Sequence, residues 1–502
     1  MTSFTDAKIL LGDKNVETSK GCFQVDNLQT DSRLCNDKSV FIAIKGTQVN
    51  GLDFAPAAVE RGARCVVVEE SNLKDSVLDE SLGVPVFVLD KNLSLGEFAS
   101  SFYGEPSKKL KLIGITGTNG KSTITQLIAS WLYAVTSSKV GVIGTLGYGY
   151  LKNLKKSANT TPDAVALQRI LYEMVNDGAQ YAVMEVSSIG IAEGRIDGCN
   201  FVAGGFTNLT RDHLDYHKSM ENYALCKEQF LKCIPKGMVS INIDDTYGRN
   251  FAEVLESCVQ VSLKRNLNPV GSSYDNKYVK VNKVIYKRHG IYLEVDSFKG
   301  SLKFEVNLLG RFNVENIVVA LGVLLSLNIP VDRLEKTASV LKPVTGRMEC
   351  FSKDGLPSIV VDYAHTPDGV EQVLRAVREH HKEGKVWCIL GCGGNRDKGK
   401  RPIMAIKACV YADNVIFTSD NPRKEDPKQI INDMILGVTS AHNYISIVDR
   451  SEAISYAFKN AKPLDCIVIA GKGHEDYQIF ADKTINFSDR KIAAKLLGVN
   501  CD

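Results

Sequence analysis

The chain has 502 residues, too many for one compact core, and this length predicts two to four domains. Its composition, 44% hydrophobic and 24% charged, is that of an ordinary globular protein, and a net charge of +3 provides no bulk attraction to nucleic acid or acidic membranes. Thirteen cysteines without a CxxC pair argue against a disulfide framework or a zinc site and favour free thiols in a reducing cytosol.

The N-terminus carries no sign of a signal peptide, because Asp6 falls where the apolar stretch of such a peptide would lie. The longest apolar run, residues 317–327, has about half of the roughly 20 residues that cross a bilayer. We therefore expect a cytoplasmic, monomeric protein with no membrane span and no nucleic-acid partner.

Short β-branched runs that end in small or polar residues recur along the chain. They are residues 39–44, 64–70, 84–90, 111–117, 181–188, 386–394, 414–420 and 466–473. Apolar runs without alternation are typical of strands buried on both faces of a parallel sheet. Helical patterns such as residues 122–135 and 315–327 lie between them, so the order of elements predicts an α/β fold.

Two polar seams predict where domains meet. The segment YGEPSKK (103–109) precedes one strand, and KPVTGR (342–347) precedes a new series of strands. We expect three domains, at residues 1–108, 109–343 and 344–502.

Residues 112–123 read LIGITGTNGKST, a strand followed by a glycine-rich turn and a helix that begins at Lys121. The backbone N–H groups of such a turn and the dipole of the helix form a binding site for phosphates. Lys121 can reach the outer phosphates, and the hydroxyl of Ser122 can ligate Mg²⁺. Ile115 stands where a strict P-loop has glycine, so this loop is a shorter variant. The alternative is a tight turn that binds no ligand.

The segment GTNGKS resembles the ATP loop of the Mur ligase superfamily, which also contains folylpolyglutamate synthases. Further blocks resemble this family in its order and cover essentially the whole chain. They are ANTTPDA (158–164), MEVSS (184–188), FTNLTRDHLDYH (206–217), LLGRFNVEN (308–316), TGRMEC (345–350), VVDYAHTPD (360–368), GCGGNRDKGKRP (391–402), DNPRKEDP (420–427) and GKGHEDYQ (471–478).

The resemblance implies a central P-loop-type ATPase domain with a parallel sheet, flanked by an N-terminal UDP-binding α/β domain and a C-terminal Rossmann-like domain. It also implies an ATP-dependent amide ligase of peptidoglycan biosynthesis. In the branch with the DNPR sequence, the ligase adds meso-2,6-diaminopimelate to the D-glutamyl γ-carboxylate of UDP-N-acetylmuramoyl-L-alanyl-D-glutamate through an acyl phosphate.

By resemblance, the catalytic residues are Lys121, Glu185, His213 and Lys227, and Mg²⁺ is held by Ser122, Glu185, His213 and a CO₂-derived carbamate on Lys227. The ATP contacts implied are Gly117, Thr118, Asn119, Gly120, Lys121, Ser122, Thr123, Asn313, Asn316, Arg347 and Asp362. The residues themselves leave plainer alternatives open: a surface carboxylate, a structural histidine, a helix-surface lysine and helix-capping asparagines. His217 is expected to be structural, and His365 matches a family residue to which chemistry assigns no role.

The substrate residues implied by the resemblance form two sets. The UDP-muramoyl peptide is assigned to Thr30, Ser32, Gln48, Val49, Asn159, Thr160, Thr161, Ser187, Glu193 and Arg195. Diaminopimelate is assigned to Arg396, Asp420, Asn421, Pro422, Arg423, Gly471 and Glu475. The second set follows three apolar strands, at the carboxyl ends where open α/β sheets bind ligands, and its two arginines suit an amino acid with more than one carboxylate.

The chain departs from the family pattern at four positions. Ile189 and Thr47 replace histidines, Glu193 replaces glutamine, and Asn395 replaces aspartate. Two other functions compete with a diaminopimelate ligase. One is a folylpolyglutamate synthase, against which the DNPR and HEDYQ segments argue. The other is a nucleotide-binding regulator that has lost turnover. Its only support is the pair of departures at Ile189 and Glu193.

Overall fold

The computed structural model describes the chain except for residues 1, 4–6, 11–13, 19–20, 46–48, 70–81, 152, 265–269, 271–276, 440–442 and 502. Contacts divide the chain into two compact units. The first comprises Met1–Ser262, Leu267–Val279 and Val319–Ile329, and the second comprises Leu263–Asn266, Lys280–Val318 and Pro330–Asp502.

The N-terminal part of the first unit contains a five-stranded sheet and a small antiparallel sheet. Its strands are β1 (Thr2–Ser3), β2 (Ala7–Leu10), β3 (Asn15–Thr18), β4 (Gly21–Gln24), β5 (Asn27–Gln29), β6 (Ser39–Ala43), β7 (Cys65–Glu69) and β8 (Val86–Leu89), and its helices are α1 (Ala55–Glu60), α2 (Leu95–Phe102) and α3 (Pro106–Lys109). The five-stranded order is β1-β8-β7-β6-β5, in which β5 to β8 are parallel. Parallel strands end at one edge, so the loops after β5 and β6 lie together there.

The larger part of the first unit contains the phosphate-loop sheet. Its strands are β9 (Lys111–Thr116), β10 (Val140–Gly144), β11 (Gly147–Tyr150), β12 (Asn153–Lys155), β13 (Tyr181–Glu185), β14 (Phe201–Phe206), β15 (Val239–Asn242) and β16 (Val259–Ser262), and its helices are α4 (Lys121–Thr136), α5 (Ala164–Asn176), α6 (Ser188–Ala192), α7 (Leu214–His217), α8 (Met220–Lys232) and α9 (Thr246–Val254). In the sheet these strands lie in the order β12-β11-β10-β13-β9-β14-β15-β16. The six strands β10, β13, β9, β14, β15 and β16 are parallel to one another. The phosphate-loop strand β9 lies between β13 and β14, so polar residues after these three strands share one edge.

In chain order, three strands and two helices come between β16 and the C-terminal sheet. They are β17 (Lys277–Lys287), β18 (Gly290–Ser297), β19 (Gly300–Val306), α10 (Arg311–Ser326) and α11 (Val331–Thr337). In β18 the buried and partly exposed residues alternate, as expected for an antiparallel strand with one face on a core.

The C-terminal part of the second unit is a six-stranded sheet with helices. Its strands are β20 (Glu349–Phe351), β21 (Ser358–Asp362), β22 (Val386–Leu390), β23 (Asn414–Phe417), β24 (Tyr444–Ser446), β25 (Cys466–Ala470), β26 (Tyr477–Ile479) and β27 (Thr484–Asn486), and its helices are α12 (Pro367–His380), α13 (Lys400–Tyr411), α14 (Pro427–Ile435), α15 (Arg450–Asn460) and α16 (Asp489–Leu497). The order β20-β21-β25-β22-β23-β24 is parallel except for β20, and β26 and β27 form a separate hairpin.

Helix α12 illustrates why these segments fold as they do. The Thr366 side chain caps its first turn by accepting a bond from the Gly369 N–H, and Pro367 occupies its first position. Val370, Val373, Leu374 and Val377 then form a buried stripe at helical spacing against the sheet.

All thirteen cysteines lie in the described part of the chain and are free thiols there. Along the described residues, none of the helices combines the length and apolar character that a membrane span requires.

Candidate active site

The phosphate loop joins β9 to α4 through two glycines with positive φ. Gly117 has φ +140°, and a Cβ there would lie 1.9 Å from the Thr207 Oγ1. Gly120 has φ +87° and precedes the first residue of α4. A side chain at either position would strain the turn, and at 117 it would collide with the neighbouring strand end. The turn therefore presents its backbone, and the free N–H groups at the start of α4, to a ligand.

Residues after β14 hold this loop in place. Asn208 accepts a bond from the Thr118 N–H through its carbonyl at 2.8 Å and one from the Asn119 N–H through its side chain at 3.0 Å. The Thr207 hydroxyl donates to the Asn119 carbonyl at 2.6 Å. The loop is thus pre-organised before any nucleotide binds.

Lys121 and Lys227 both point at the Gly117 carbonyl. The Lys121 Nζ donates to the carbonyls of Gly117 and Thr118, each at 2.8 Å. The Lys227 Nζ donates to the Gly117 carbonyl at 3.1 Å and to the Thr116 Oγ1 at 3.2 Å. The two predicted catalytic lysines are therefore neighbours at the turn.

Lys227 is not the helix-surface lysine that its sequence context allowed, because only 1% of it is exposed. Its Nζ lies 4.8 Å from the centre of the Tyr223 ring. Burial, together with the ammonium of Lys121, lowers the pKa of Lys227 well below its usual range. Burial also lowers the pKa of Lys121, which the carboxylates of Glu185 and Asp212 oppose. Both causes favour the neutral, nucleophilic form of the Lys227 amine.

Glu185 ends β13 and is buried, so it is not a surface acid either. Its carboxylate accepts bonds from the N–H of Thr145 at 2.8 Å and from its hydroxyl at 3.1 Å. His213 precedes α7 with φ +51°, and its ring is half-exposed 3.4 Å from Asp212. Within the described residues, no three His, Cys, Asp or Glu side chains form a group that could hold a metal ion.

His217 is buried, as expected of a structural histidine. Its Nε2 bonds the Ser188 hydroxyl at 2.8 Å, and its ring stacks on Tyr223 with centres 5.1 Å apart. The Tyr223 hydroxyl in turn bonds the Thr118 Oγ1 at 3.1 Å. These contacts connect α6 to the phosphate loop.

Three of the residues assigned to the muramoyl peptide, Thr160, Thr161 and Ser187, lie beside Glu185. The Thr160 hydroxyl lies 3.0 Å from that of Thr145, and the Thr161 hydroxyl bonds both the Glu185 carbonyl and the Ser187 hydroxyl at 3.0 Å. Asn159 is exposed nearby in sequence, and its carbonyl accepts a bond from Ser157.

Arg195 and Glu193 bond each other in the same cluster. The Glu193 Oε2 accepts from the Arg195 Nε at 2.8 Å and from Nη2 at 2.5 Å, while Nη1 donates to the Thr161 carbonyl at 2.9 Å. The guanidinium thus already has a carboxylate partner. Ile189 lies in α6 and is partly exposed.

The N-terminal residues assigned to uridine follow adjacent parallel strands. Thr30 and Ser32 come after β5, and Val49, which is 58% exposed, comes after β6. These three residues are therefore at one edge of the sheet. Gln48 and Thr47 lie outside the described residues.

In the second unit, the two asparagines assigned to ATP are buried and bond each other. The Asn316 Nδ2 donates to the Asn313 Oδ1 at 3.1 Å, and the Asn313 Nδ2 donates to the Leu309 carbonyl at 2.8 Å. Arg347 is exposed, with its guanidinium 5.1 Å from the centre of the Tyr363 ring.

Asp362 is a buried carboxylate at the end of β21. Its two oxygens accept 2.7 Å bonds from the N–H groups of Met348 and Ala364. Burial raises the pKa of Asp362. Its backbone bonds fix the segments on either side of the strand end.

A cavity of about 360 Å³ opens past the carboxyl ends of β21, β22, β23 and β25. Six of the seven residues assigned to diaminopimelate line it: Arg396, Asp420, Asn421, Arg423, Gly471 and Glu475. Pro422 does not line it, although its carbonyl leaves no room for a Cβ on Gly394. Tyr363, His365 and Lys400 also line the cavity, and the Lys400 Nζ donates to the His365 carbonyl at 2.9 Å.

Arg423 is held on one side only. Its Nη1 donates to the Gly394 carbonyl at 3.0 Å and, at 3.5 Å, to that of Asn421, and its backbone has φ +53°. The exposed Arg396 makes no hydrogen bond with any part of the chain that the structure describes. Both guanidinium groups therefore retain donors for a carboxylate inside the cavity.

Buried ion pairs support the walls of this cavity. The fully buried Arg401 bonds Glu425 and Asp433, and it lowers the pKa of Glu425 to about 2. Glu425 also accepts the Asn395 N–H, which fixes the loop that carries Arg396. Asn395, the residue in place of aspartate, accepts from the Lys424 N–H at 3.0 Å.

Sequence reasoning missed Tyr223, Thr145 and Lys472. The helical spacing of Tyr223 to Lys227 in α8 could have indicated the first contact. Thr145 bonds Glu185, 40 residues away, and one of the two partners of Lys472, Asn421, lies 51 residues away along the chain. His365, which had no assigned role, lies in the cavity wall.

Three family models match the chain, and they define its class. The Mur ligase family catalytic domain matches residues 24–103, the Mur ligase middle domain matches residues 115–324, and the Mur ligase glutamate ligase domain matches residues 346–473. The chain belongs to the Mur ligase family, and the predicted three-domain α/β fold and ATP-dependent ligase class are confirmed. The domain boundaries stay a prediction.

Within this family the similarity extends over nearly the whole chain to one kind of enzyme. The chain is 42% identical, over 95% of both sequences, to the UDP-N-acetylmuramoyl-L-alanyl-D-glutamate–2,6-diaminopimelate ligase of Vibrio parahaemolyticus serotype O3:K6 (strain RIMD 2210633). A solved structure of an enzyme with that name superposes with a TM-score of 0.71 at 33% identity, covering 95% of each chain. MurF ligase of Thermotoga maritima in complex with ADP shares the fold, with a TM-score of 0.60 at 17% identity, over 89% of this chain and 94% of that chain.

Proposed function

We propose that the protein adds meso-2,6-diaminopimelate to the D-glutamyl γ-carboxylate of UDP-N-acetylmuramoyl-L-alanyl-D-glutamate and consumes ATP, as a step of peptidoglycan synthesis in the cytoplasm. The observation that carries this proposal is the cavity in the second unit. It combines Arg396 and Arg423 with Asp420 and Glu475, a set of charges that suits an amino acid with two carboxylates and two ammonium groups. The names of the relatives agree with it.

The phosphate-transfer half of the reaction is assigned to the first unit. The loop N–H groups and Lys121 bind the outer phosphates of ATP, and Lys121 leaves the Gly117 and Thr118 carbonyls to do so. The peptide γ-carboxylate, oriented by hydroxyl groups around Thr161 and by Arg195, then attacks the γ-phosphate. We assign adenosine to Asn313, Asn316, Arg347 and Asp362.

The residues around Lys227 fit a carbamate and Mg²⁺. Burial and the Lys121 ammonium lower the pKa of Lys227 and so favour its neutral amine, which adds CO₂ and releases a proton to give a carboxylate-like carbamate. We assign Mg²⁺ to this carbamate together with Glu185, His213 and the Ser122 hydroxyl, which would offer mainly the oxygen donors that Mg²⁺ prefers. Bound there, Mg²⁺ offsets the negative charge that develops during phosphoryl transfer.

The second half of the reaction forms the amide. An amine of diaminopimelate attacks the acyl phosphate and displaces phosphate, while Arg396 and Arg423 bind its far carboxylate. Water must be excluded from this step because it would hydrolyse the acyl phosphate. We propose that the enzyme acts as a monomer.

The test is ADP release with each substrate omitted in turn. We expect ADP only when ATP, the UDP-muramoyl dipeptide and diaminopimelate are all present. ADP formation with a folate acceptor would favour a folylpolyglutamate synthase, and binding of ATP without any ADP release would favour a regulator that has lost turnover.

A further inference from the structure

Lys472 is a fully buried lysine directly behind the wall of the cavity. Its side chain has no exposed surface, and it follows β25, two residues after Ala470. Its Nζ donates to the Glu475 Oε2 at 2.9 Å and to the Asn421 Oδ1 at 3.1 Å. Both partners line the cavity, whereas Lys472 does not. The ammonium therefore acts on the cavity through these two side chains.

The contacts of Asn421 fix the orientation of its amide. Its Oδ1 accepts from Lys472 and, at 3.0 Å, from the Ile479 N–H, and its Nδ2 donates to the Glu475 Oε2 at 2.9 Å. An inverted amide would face the ammonium with its own N–H group. Lys472 and the Ile479 N–H together orient the amide so that its Nδ2 faces Glu475, and the Glu475 Oε2 accepts from two neighbouring donors, Lys472 and Asn421.

The charge of Lys472 also bears on the acidic side of the cavity. Asp420 and Glu475 both line it, and burial together with the Glu475 charge raises the pKa of Asp420, which Arg450 and Lys472 counteract. The buried Asp420 and the mostly buried Glu475 repel each other, and nearby cations offset this repulsion. Arg450 bonds Asp489 and the carbonyls of Ser419 and Ala470. Lys472, by contrast, bonds the Glu475 carboxylate directly and is therefore its ion-pair partner.

We infer that Lys472 is a positioning residue for amino-acid recognition: it holds Glu475 and Asn421 in the one arrangement that accepts a substrate ammonium group. This inference rests on the proposed function and adds a residue that touches no substrate. Removing the ammonium takes one of two donors from the Glu475 Oε2, so that the carboxylate can turn away, and leaves the Asn421 Oδ1 with the Ile479 N–H as its one remaining donor among the described residues.

The test is a double-mutant cycle with Lys472→Met and Glu475→Gln. Methionine keeps the length of the side chain without its charge, and glutamine keeps the shape of Glu475 without its charge. We expect Lys472→Met to raise the KM for diaminopimelate about tenfold or more, with the KM for ATP changed less than about threefold. In the Glu475→Gln background the same change should add less than about threefold, because no carboxylate remains to be positioned. Lys428→Met, on the exposed face of α14, is the matched control.

An equal rise in KM in both backgrounds, or no rise in either, would overturn the inference. Thermal melting reports folding. If Lys472→Met alone unfolds, Glu475→Gln is compared with the double variant, which has no buried unpaired charge at this pair. Unfolding of both Lys472 variants would assign the lysine a purely structural role and overturn the inference. If the wild-type protein uses another amino acid and not diaminopimelate, the proposed function fails, and the cycle run with that amino acid still tests Lys472.

Discussion

The sharpest test of the proposed specificity is the replacement of Arg423 by alanine. Among the described residues, the Arg423 guanidinium bonds the chain through Nη1 alone, so its Nε and Nη2 remain to form a two-bond fork with the far carboxylate of diaminopimelate. Hydrogen bonds to charged groups contribute about 1.5–3 kcal/mol each, so the fork is worth about 3–6 kcal/mol. Arg423→Ala should therefore lower kcat/KM for diaminopimelate on the order of 10²–10⁴-fold. Alanine keeps the Cβ at φ +53°, so backbone strain is unchanged.

The assay compares kcat/KM for diaminopimelate and lysine in the wild type, Arg423→Ala and Arg423→Lys. Lysine lacks the far carboxylate, so the wild type should prefer diaminopimelate by about 10³-fold or more, and the alanine variant should gain little with lysine. Arg423→Lys should not restore activity, because an ammonium cannot form the fork. Equal wild-type values for the two amino acids would refute the role of the DNPR sequence, and so would full activity of Arg423→Lys.

Three further variants test the first unit. Lys121→Ala should lower ADP formation on the order of 10³-fold or more with an unchanged melting temperature, and turnover within a few-fold of wild type would remove the ATP-loop assignment. Lys227→Ala should be nearly inactive and regain part of its rate with a small added carboxylate such as acetate, whereas an active alanine variant with an unmodified lysine in the wild type would contradict the carbamate. Ile189→His should lower the KM for the UDP-muramoyl dipeptide by about two- to tenfold if a histidine at this position contacts substrate, and unchanged kcat and KM would mean that the residue only packs.

The strands and the phosphate loop could be predicted from the sequence because their signals are local. Each apolar run contains a strand that ends before the small or polar residues of the run, as in β9 (Lys111–Thr116) and β25 (Cys466–Ala470). The turn at Gly117 is a local signal as well, because its positive φ favours glycine and the glycine-rich segment stands directly between a strand and a helix. Short strands such as β20 and β24, with three residues each, lack enough apolar residues to be recognised.

Burial of the charged site residues could not be predicted in the same way. Lys227 lies in a polar helix segment and by itself looks like a surface lysine. Only Tyr223 and Phe230, which share its helix face one turn before and one turn after it, indicate that it is buried. The spacing was a usable signal, because Lys227 falls in the apolar stripe of α8. The burial of Lys472 has no such signal, because only its partner Glu475 is close along the chain, whereas Asn421 belongs to another strand end 51 residues earlier.

The departure at residue 193 leads to a prediction about the muramoyl-peptide site. The Glu193 carboxylate occupies the Nε and Nη2 donors of Arg195, which the assigned role would direct at a substrate carboxylate. Because 41% of the Glu193 side chain is exposed, the ion pair is weak and can open. The free energy of opening it is subtracted from the free energy of substrate binding. Glu193→Gln should therefore lower the KM for the UDP-muramoyl dipeptide about two- to tenfold, with a steeper rise of KM as salt is added, because an unpaired guanidinium attracts the anionic substrate more strongly. Glu256→Gln, which removes an exposed partner of Lys236, is the control and should leave both quantities unchanged. A KM that stays the same or rises in Glu193→Gln would mean that Glu193 does not compete with substrate for Arg195.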